Sequence, residues 1–312
     1  MIQHAWKASR RAWSRSAVLP QPDPSRLHRF KRQLRWSVTA AMRQAAAAAW
    51  FDWLDQPAMK PYLMAEPRLA FRPLGAYMSL RWNWERRAKV VRDTYAFIHA
   101  QGGPLHEAMA RPEGAMLLRV PLAKELTAEV WMKPDMQFRK EGEVSVFFTL
   151  SGIDLAISSF ALAFERNEDG WACYVGAVQG RKGGGEEAIK LATKAMHGLR
   201  PKQFMVFLAQ EIARSLRVKA LYGVGNRIHV FRAGQNKIIR TKREISFDYD
   251  ELWTEAGGEP AEEGWFLVPS KPRRRGLDEV KPNKRSMYAK RYAMLDGISK
   301  QVRTVLTPFP RS

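Results

Sequence analysis

One cysteine in 312 residues excludes an internal disulfide. Cys173 sits in the apolar run Trp171-Ala172-Cys173-Tyr174-Val175, where a buried structural thiol is expected and a nucleophile is the alternative. Apolar runs are short, and charge interrupts each well before the ~20 residues that cross a bilayer. Arg10, Arg11 and Arg15 lead into Pro20, Pro22 and Pro24, which is not the uninterrupted apolar core of a signal peptide. A cytoplasmic protein is expected, with peripheral contact at the inner membrane face as its only membrane association. The sequence also lacks a cysteine pair, a His-Glu-x-x-His and an aspartate ladder, so neither a metal nor a tightly bound cofactor is expected.

Acidic residues are scarce as well. The 52 Lys and Arg outweigh 31 Asp and Glu, giving a net charge of +21, and such a field attracts polyanions. RNA, an anionic membrane, a phosphate-bearing donor such as acyl-CoA and an acyl carrier protein all meet that demand. A basic surface that only aids solubility is the plain alternative. With 46% hydrophobic residues the chain has the material for a globular core.

Residues 1–30 mix cations, tryptophans and three prolines and read as a loosely ordered lead-in. An alanine-rich segment from Arg32 to Leu54 predicts one long helix. Its Trp36, Trp50 and Trp53 read as residues packed on the neighbouring domain, with a membrane-facing stripe as the alternative. Helical spacing returns from Leu80 to Ala100 and stops at Gly102-Gly103-Pro104. Two regions follow from this: a helical N-terminal extension over 1–75 and an α/β domain over 76–312. Strand-like runs at 116–120, 144–150 and 155–164 open a sheet, the last two joined by the turn Ser151-Gly152-Ile153-Asp154. A strand at 171–178 leads through Gln179-Gly180-Arg181-Lys182-Gly183-Gly184-Gly185 into a helix at 186–197. Pro201 opens a second helix to Leu216, strands follow at 220–224 and 265–268, and a helix from Lys284 to Val305 closes the chain.

Anion-binding chemistry concentrates around 179–202. Glycines let a backbone approach phosphate, and a helix start points free N–H groups at it. Gln179 and Arg181 in the first turn, and Arg200 and Lys202 at the second helix, are candidate donor-binding residues; a flexible turn is the alternative for the first. His197, one turn earlier, is either a helix cap or a base. Asn226 and His229 leave the strand at 220–224 on the edge where open α/β sheets bind ligands, although a turn and a packed histidine would look the same. Tyr249, Asp250 and Trp253 cluster as an acid or base in an aromatic setting, or as core. Arg285 and Tyr288 interleave charge and ring as phosphate binders do, and as solvated helices do.

The segments Tyr174 to Gly180, Thr193 to Lys202, Gly225 to His229, Asp248 to Trp253 and Lys284 to Tyr288 resemble, in that order, the VirK/YbjX family of bacterial proteins. That resemblance spans about 80–305 and implies an association with virulence and the cell envelope, without an agreed activity. A weaker resemblance is to the acyl-CoA N-acyltransferase (GNAT-like) fold, whose central unit runs strand, phosphate-binding turn, helix, strand and an Asn-containing loop. Residues 175–178, 199–202, 203–216, 220–224 and Asn226 fill those places, while the helix at 186–197 intervenes.

The fold expected is therefore α+β or α/β, a mixed central sheet covered by helices, GNAT-like, with a helical N-terminal region. The function expected is transfer of an acyl or aminoacyl group from an anionic donor to an amine or hydroxyl. Arg200 and Lys202 would hold the donor with Gln179 and Arg181; Asn226, His229, Trp253, Arg285 and Tyr288 would line the acceptor side; His197, Asp250 or Tyr249 would move the proton. The competing expectation is a non-catalytic basic adaptor for RNA or anionic membrane.

Overall fold

The structure, a computed structural model, describes residues 2–17, 19, 26–180, 185–232 and 247–307. The N-terminal lead-in is more regular than its prolines suggest: α1 spans Ile2–Ala17 and α2 spans Arg26–Met42. Ala8, Ala12 and Ser16 recur every four residues on α1 and are buried, so small side chains let this helix approach its neighbours closely. Arg11 donates to Asp52 at 2.7 Å and Asp55 at 2.6 Å, tying α1 to α3 (Gln44–Leu54).

The long helix expected over 32–54 is two helices, because Arg43 leaves helical geometry with φ −119° and ψ 41°. Its tryptophans do not form a membrane-facing stripe. Trp50 is buried and donates its indole N–H to the Ala70 carbonyl at 2.9 Å, and Trp36 stacks on Phe71 at 4.0 Å. After α4 (Lys60–Ala65) and a 3-10 stretch at Pro67–Leu74 comes α5 (Trp84–Gln101). Asn83 caps α5 by accepting from the Arg86 N–H, and Gly102 ends it at φ 63°, a conformation that favours glycine.

A short α6 (Gly103–Met109) precedes five consecutive strands: β1 Ala115–Pro121, β2 Thr127–Lys133, β3 Val144–Leu150, β4 Ile153–Asn167 and β5 Gly170–Gly180. Strand β2 was not anticipated, because Glu129 and Lys133 dilute its apolar content. Its inward and outward positions nonetheless alternate in burial along the whole strand, the period-two pattern of a half-covered sheet. Then come α7 (Glu186–Ala195), α8 (Pro201–Ser215), β6 (Ala220–Val224), α9 (Tyr249–Glu255), the short β7 (Glu259–Pro260), β8 (Trp265–Val268) and α10 (Pro282–Leu306).

The result is an α+β fold with one mixed, eight-stranded sheet, ordered β1-β2-β3-β4-β5-β6-β8-β7 and wrapped by helices. Neighbours are antiparallel except β5 and β6, which run parallel with α7 and α8 as their crossover. A crossover is needed there because parallel neighbours cannot be joined by a tight turn. The main apolar core runs from Ala8 of α1 through the sheet to Leu306 of α10, beside a small second cluster of Phe138, Ala161 and Ala177. No described helix is long and apolar enough to cross a membrane.

Candidate functional site

The parallel pair does not stay together. Strands β5 and β6 are in register from Ala172 opposite Ala220 to Val175 opposite Gly223, after which β6 ends at Val224 while β5 continues beside β4 to Gly180. A bulge at Gly176 starts the departure: Ala177 pairs with Ala161 and Val175 with Leu162, leaving Gly176 as the extra residue. The Glu141 carbonyl presses against its Cα where a Cβ would stand, so a side chain there would clash with backbone. The gap that opens is filled from α9. Tyr249 donates its hydroxyl to the Val178 carbonyl of β5 at 3.4 Å, and Trp253 donates its indole N–H to the Val224 carbonyl of β6 at 2.9 Å.

A polar network centred on the buried Glu141 and His229 lies beneath this gap. Both Glu141 oxygens accept from the Gln179 amide, at 3.2 and 3.1 Å, and the Gln179 oxygen accepts from Gln137 at 3.2 Å. His229 Nε2 stands 3.2 Å from Glu141 Oε1, an ion-pair distance without the alignment of a good hydrogen bond. Its Nδ1 accepts from the Phe231 N–H at 3.3 Å, and its ring stacks on Tyr249 at 4.9 Å. Burial, and then the Glu141 charge, push the Tyr249 phenol well above its ordinary value. The strap Tyr77 to Leu80 joins the two loops involved: Met78 N–H donates to the Lys140 carbonyl and Leu80 N–H to the Ile228 carbonyl.

Asn226 locks α9 to the loop after β6. Its side chain donates to Asp248 at 2.7 Å and accepts from the Tyr249 N–H at 2.9 Å, while its own N–H donates to Asp250 at 2.7 Å. These bonds make Asn226 and Asp248 a structural clasp, and Trp253, fully enclosed against Gly223, is core instead of an open wall for substrate.

Above the gap, α8 begins at Pro201 with Arg200 as its N-cap residue. Lys202 lies against Gly180 and holds its ammonium 3.2 Å from the centre of the Phe247 ring. Desolvation lowers its pKa from 10.5 to about 8. Arg200 and Lys202 border a largely apolar cavity of about 390 Å³ walled by Ile157, Ser158, Gly180, Ile189 and Pro201. On the other side of Arg200 opens a basic cleft of about 800 Å³ between α8, α9, the segment 272–279 and α10, bordered by Arg273, Arg275, Lys284 and Tyr288. The two cavities meet at Arg200.

The remaining sequence candidates fall around that cleft. His197 takes φ 52° in the turn between α7 and α8, and its carbonyl accepts two bonds from Arg291 of α10, at 3.0 and 2.8 Å. Burial, then Lys290 and Arg291, lower its imidazole pKa. It is thus a turn residue anchoring α10. Arg285 donates to the carbonyls of Val280 and Asp278, and Tyr288 lies under the Arg291 guanidinium at 4.3 Å. Arg181 lies outside the described residues, as does most of the glycine turn. Cys173 is buried in β5 and its thiol is held neutral by desolvation. Among the described residues no cluster of metal-ligating side chains is found.

The buried carboxylate Glu141 was missed. In the sequence Lys140-Glu141-Gly142-Glu143 reads as a solvated turn, and only the alternation of two Glu around a glycine just before apolar β3 hints otherwise.

The family described as "Protein of unknown function (DUF535)" matches residues 25–304. The chain belongs to the VirK/YbjX family. It is 28% identical to "Uncharacterized protein YbjX" of Escherichia coli, across 89% of this chain and 84% of that one. Two proteins of Haemophilus influenzae, each named "Uncharacterized protein", are 35% and 36% identical over 46% and 36% of this chain. No solved structure matches it.

Proposed function

We propose that this VirK/YbjX protein is an acyltransferase that takes an acyl or aminoacyl group from an anionic activated donor, acyl-CoA or a carrier-bound thioester, and gives it to an amine or hydroxyl. The observation carrying this reading is the apolar cavity at the start of α8, bordered by Arg200 and Lys202. An activated acyl donor needs an apolar pocket for its chain and cations for its phosphates. The 390 Å³ cavity answers the first need and the Arg200-Pro201-Lys202 helix start the second. Free N–H groups and the dipole of a helix N-terminus add to the attraction for phosphate.

The succession β5, turn, α8, β6 and Asn226 also follows the central unit of the acyl-CoA N-acyltransferase fold, with α7 inserted. In the transfer the acceptor nitrogen or oxygen adds to the donor carbonyl, the carbon–sulfur bond breaks and the thiolate leaves, to be protonated by the carboxylic acid that took the acceptor's proton. Asp250, with one oxygen on the Asn226 N–H, is the carboxylate we assign to receive the acceptor's proton.

Calorimetric titration with acetyl-CoA, a long-chain acyl-CoA and an acyl carrier protein tests the reading. Saturable binding should weaken at least about tenfold when Arg200→Ser and Lys202→Met are combined, since each charge-assisted contact contributes about 1.5–3 kcal/mol. Unchanged affinity in that variant would refute the donor site.

A further inference from the structure

The N-terminal hairpin carries a surface that the catalytic reading does not use. Among the described residues, seven of thirteen large apolar side chains that stand exposed lie on α1 and α2. Leu27, Phe30, Leu34, Val38 and Met42 recur every three or four residues along α2, the spacing of one helix face. None of them contributes to the core, and Met42 is 81% exposed. The buried side of α2 is a different set, Trp36 on Phe71 with Ser37 and Ala40. On α1, Trp6 and Trp13 stand out seven residues apart, again one face, and Trp13 meets Phe30 edge to face at 5.9 Å. The two helices therefore present one continuous apolar strip.

Its electrical setting points to what covers it. Residues 1–51 contain ten Lys and Arg and a single acid, Asp23. Arg11 and Arg15 turn inward to Asp52 and Asp55, whereas Lys7, Arg10, Lys31 and Arg35 are exposed on the same two helices as the strip. Aromatic and aliphatic side chains bordered by cations suit the boundary of an anionic bilayer, where the rings enter the headgroup layer and the ammonium and guanidinium groups meet phosphate. A core-seeking face would exclude the cations, and a nucleic-acid face would not display leucine, valine and methionine.

We propose that the α1–α2 hairpin is a peripheral docking surface for anionic lipid bilayers, lying in the plane of the membrane. It is independent of the donor site at α8 and would hold even if the transferase reading failed.

Sedimentation of the full chain with vesicles tests it. Vesicles of phosphatidylcholine and phosphatidylglycerol in equal parts should carry the protein down, and vesicles of phosphatidylcholine alone should do so at least about tenfold less, since each basic residue near an anionic surface contributes about 1 kcal/mol. Replacing Leu27, Phe30, Leu34 and Val38 by Ser should abolish binding while circular dichroism and acyl-CoA titration stay unchanged. Lys31→Glu with Arg35→Glu, which leaves the strip intact, should weaken binding to the anionic vesicles alone. Three results would overturn the proposal: equal sedimentation of the serine variant, loss of RNA binding in that variant without any vesicle binding by the parent, or a parent dimer in light scattering that the serine variant converts to monomer.

Discussion

Two glutamates, two residues apart, are both buried, and the chain uses them in different ways. Glu143 meets a full opposite charge: Arg72 donates from Nε at 2.9 Å and the Tyr95 hydroxyl from the other side at 3.0 Å. Burial alone would lower the Arg72 pKa, but Glu143, Glu66 and the Tyr95 and Tyr77 phenols together outweigh it and raise the value; the Tyr77 and Tyr95 phenols are raised by burial and by the Glu143 carboxylate. Glu141 faces amides and an imidazole, groups that carry no fixed charge. The first arrangement is a closed ion pair binding the 3-10 stretch and α5 to the sheet. The second is a polar network where β5 and β6 part, its carboxylate held by the Gln179 amide and set against the His229 ring. That contrast assigns stability to Glu143 and site geometry to Glu141.

The largest effect should come from the closed pair. Glu143→Ala leaves Arg72 buried without its counter-charge, and breaking such a pair costs about 3–5 kcal/mol. Urea unfolding should show a loss of unfolding free energy of that size; a loss no larger than that of a surface substitution would place the pair outside the load path. Glu141→Gln keeps shape and one acceptor but removes the charge that Gln179 and His229 face. A cost of about 1.5–3 kcal/mol is expected for the lost charge-assisted bonds. Under the acyltransferase proposal, and unlike the Glu143 variant at permissive temperature, it should lower turnover with acyl-CoA while donor affinity holds, because the loop 225–231 that carries Asn226 is positioned through His229.

Much of the frame was visible in the residue pattern. Pro201 at a helix start, the two-residue turn at Ser151-Gly152 and the apolar runs of β3 to β6 are local signals with fixed geometry. The helix α1 was hidden because its fold-determining face is made of alanine and serine, which carry no hydrophobic period. The site was less legible. Asn226 and His229 were placed near it, yet their roles in the clasp and the network depend on Asp248 and Glu141, partners distant in the chain whose pairing is made only by the sheet. Trp253 and Tyr249 look alike in sequence, and whether either borders a cavity is decided by where β6 stops.

The smallest effect concerns Lys202, which extends the contrast to a half-buried charge set against an aromatic face, the Phe247 ring. Its folded pKa of about 8 lies below the ordinary 10.5, so folding releases a proton between those values and stability from this residue rises as pH climbs through that window. An anion arriving at the start of α8 would reverse the shift and return the proton. At pH 8 the free amine is about half protonated, so binding of a phosphate-bearing donor should draw in up to about half a proton per chain. Titrations of acetyl-CoA in two buffers of different ionisation heat measure that uptake, and Lys202→Met should remove it. Uptake that survives the substitution would mean that a titrating group other than Lys202 meets the donor's phosphates, and would remove Lys202 from the donor site.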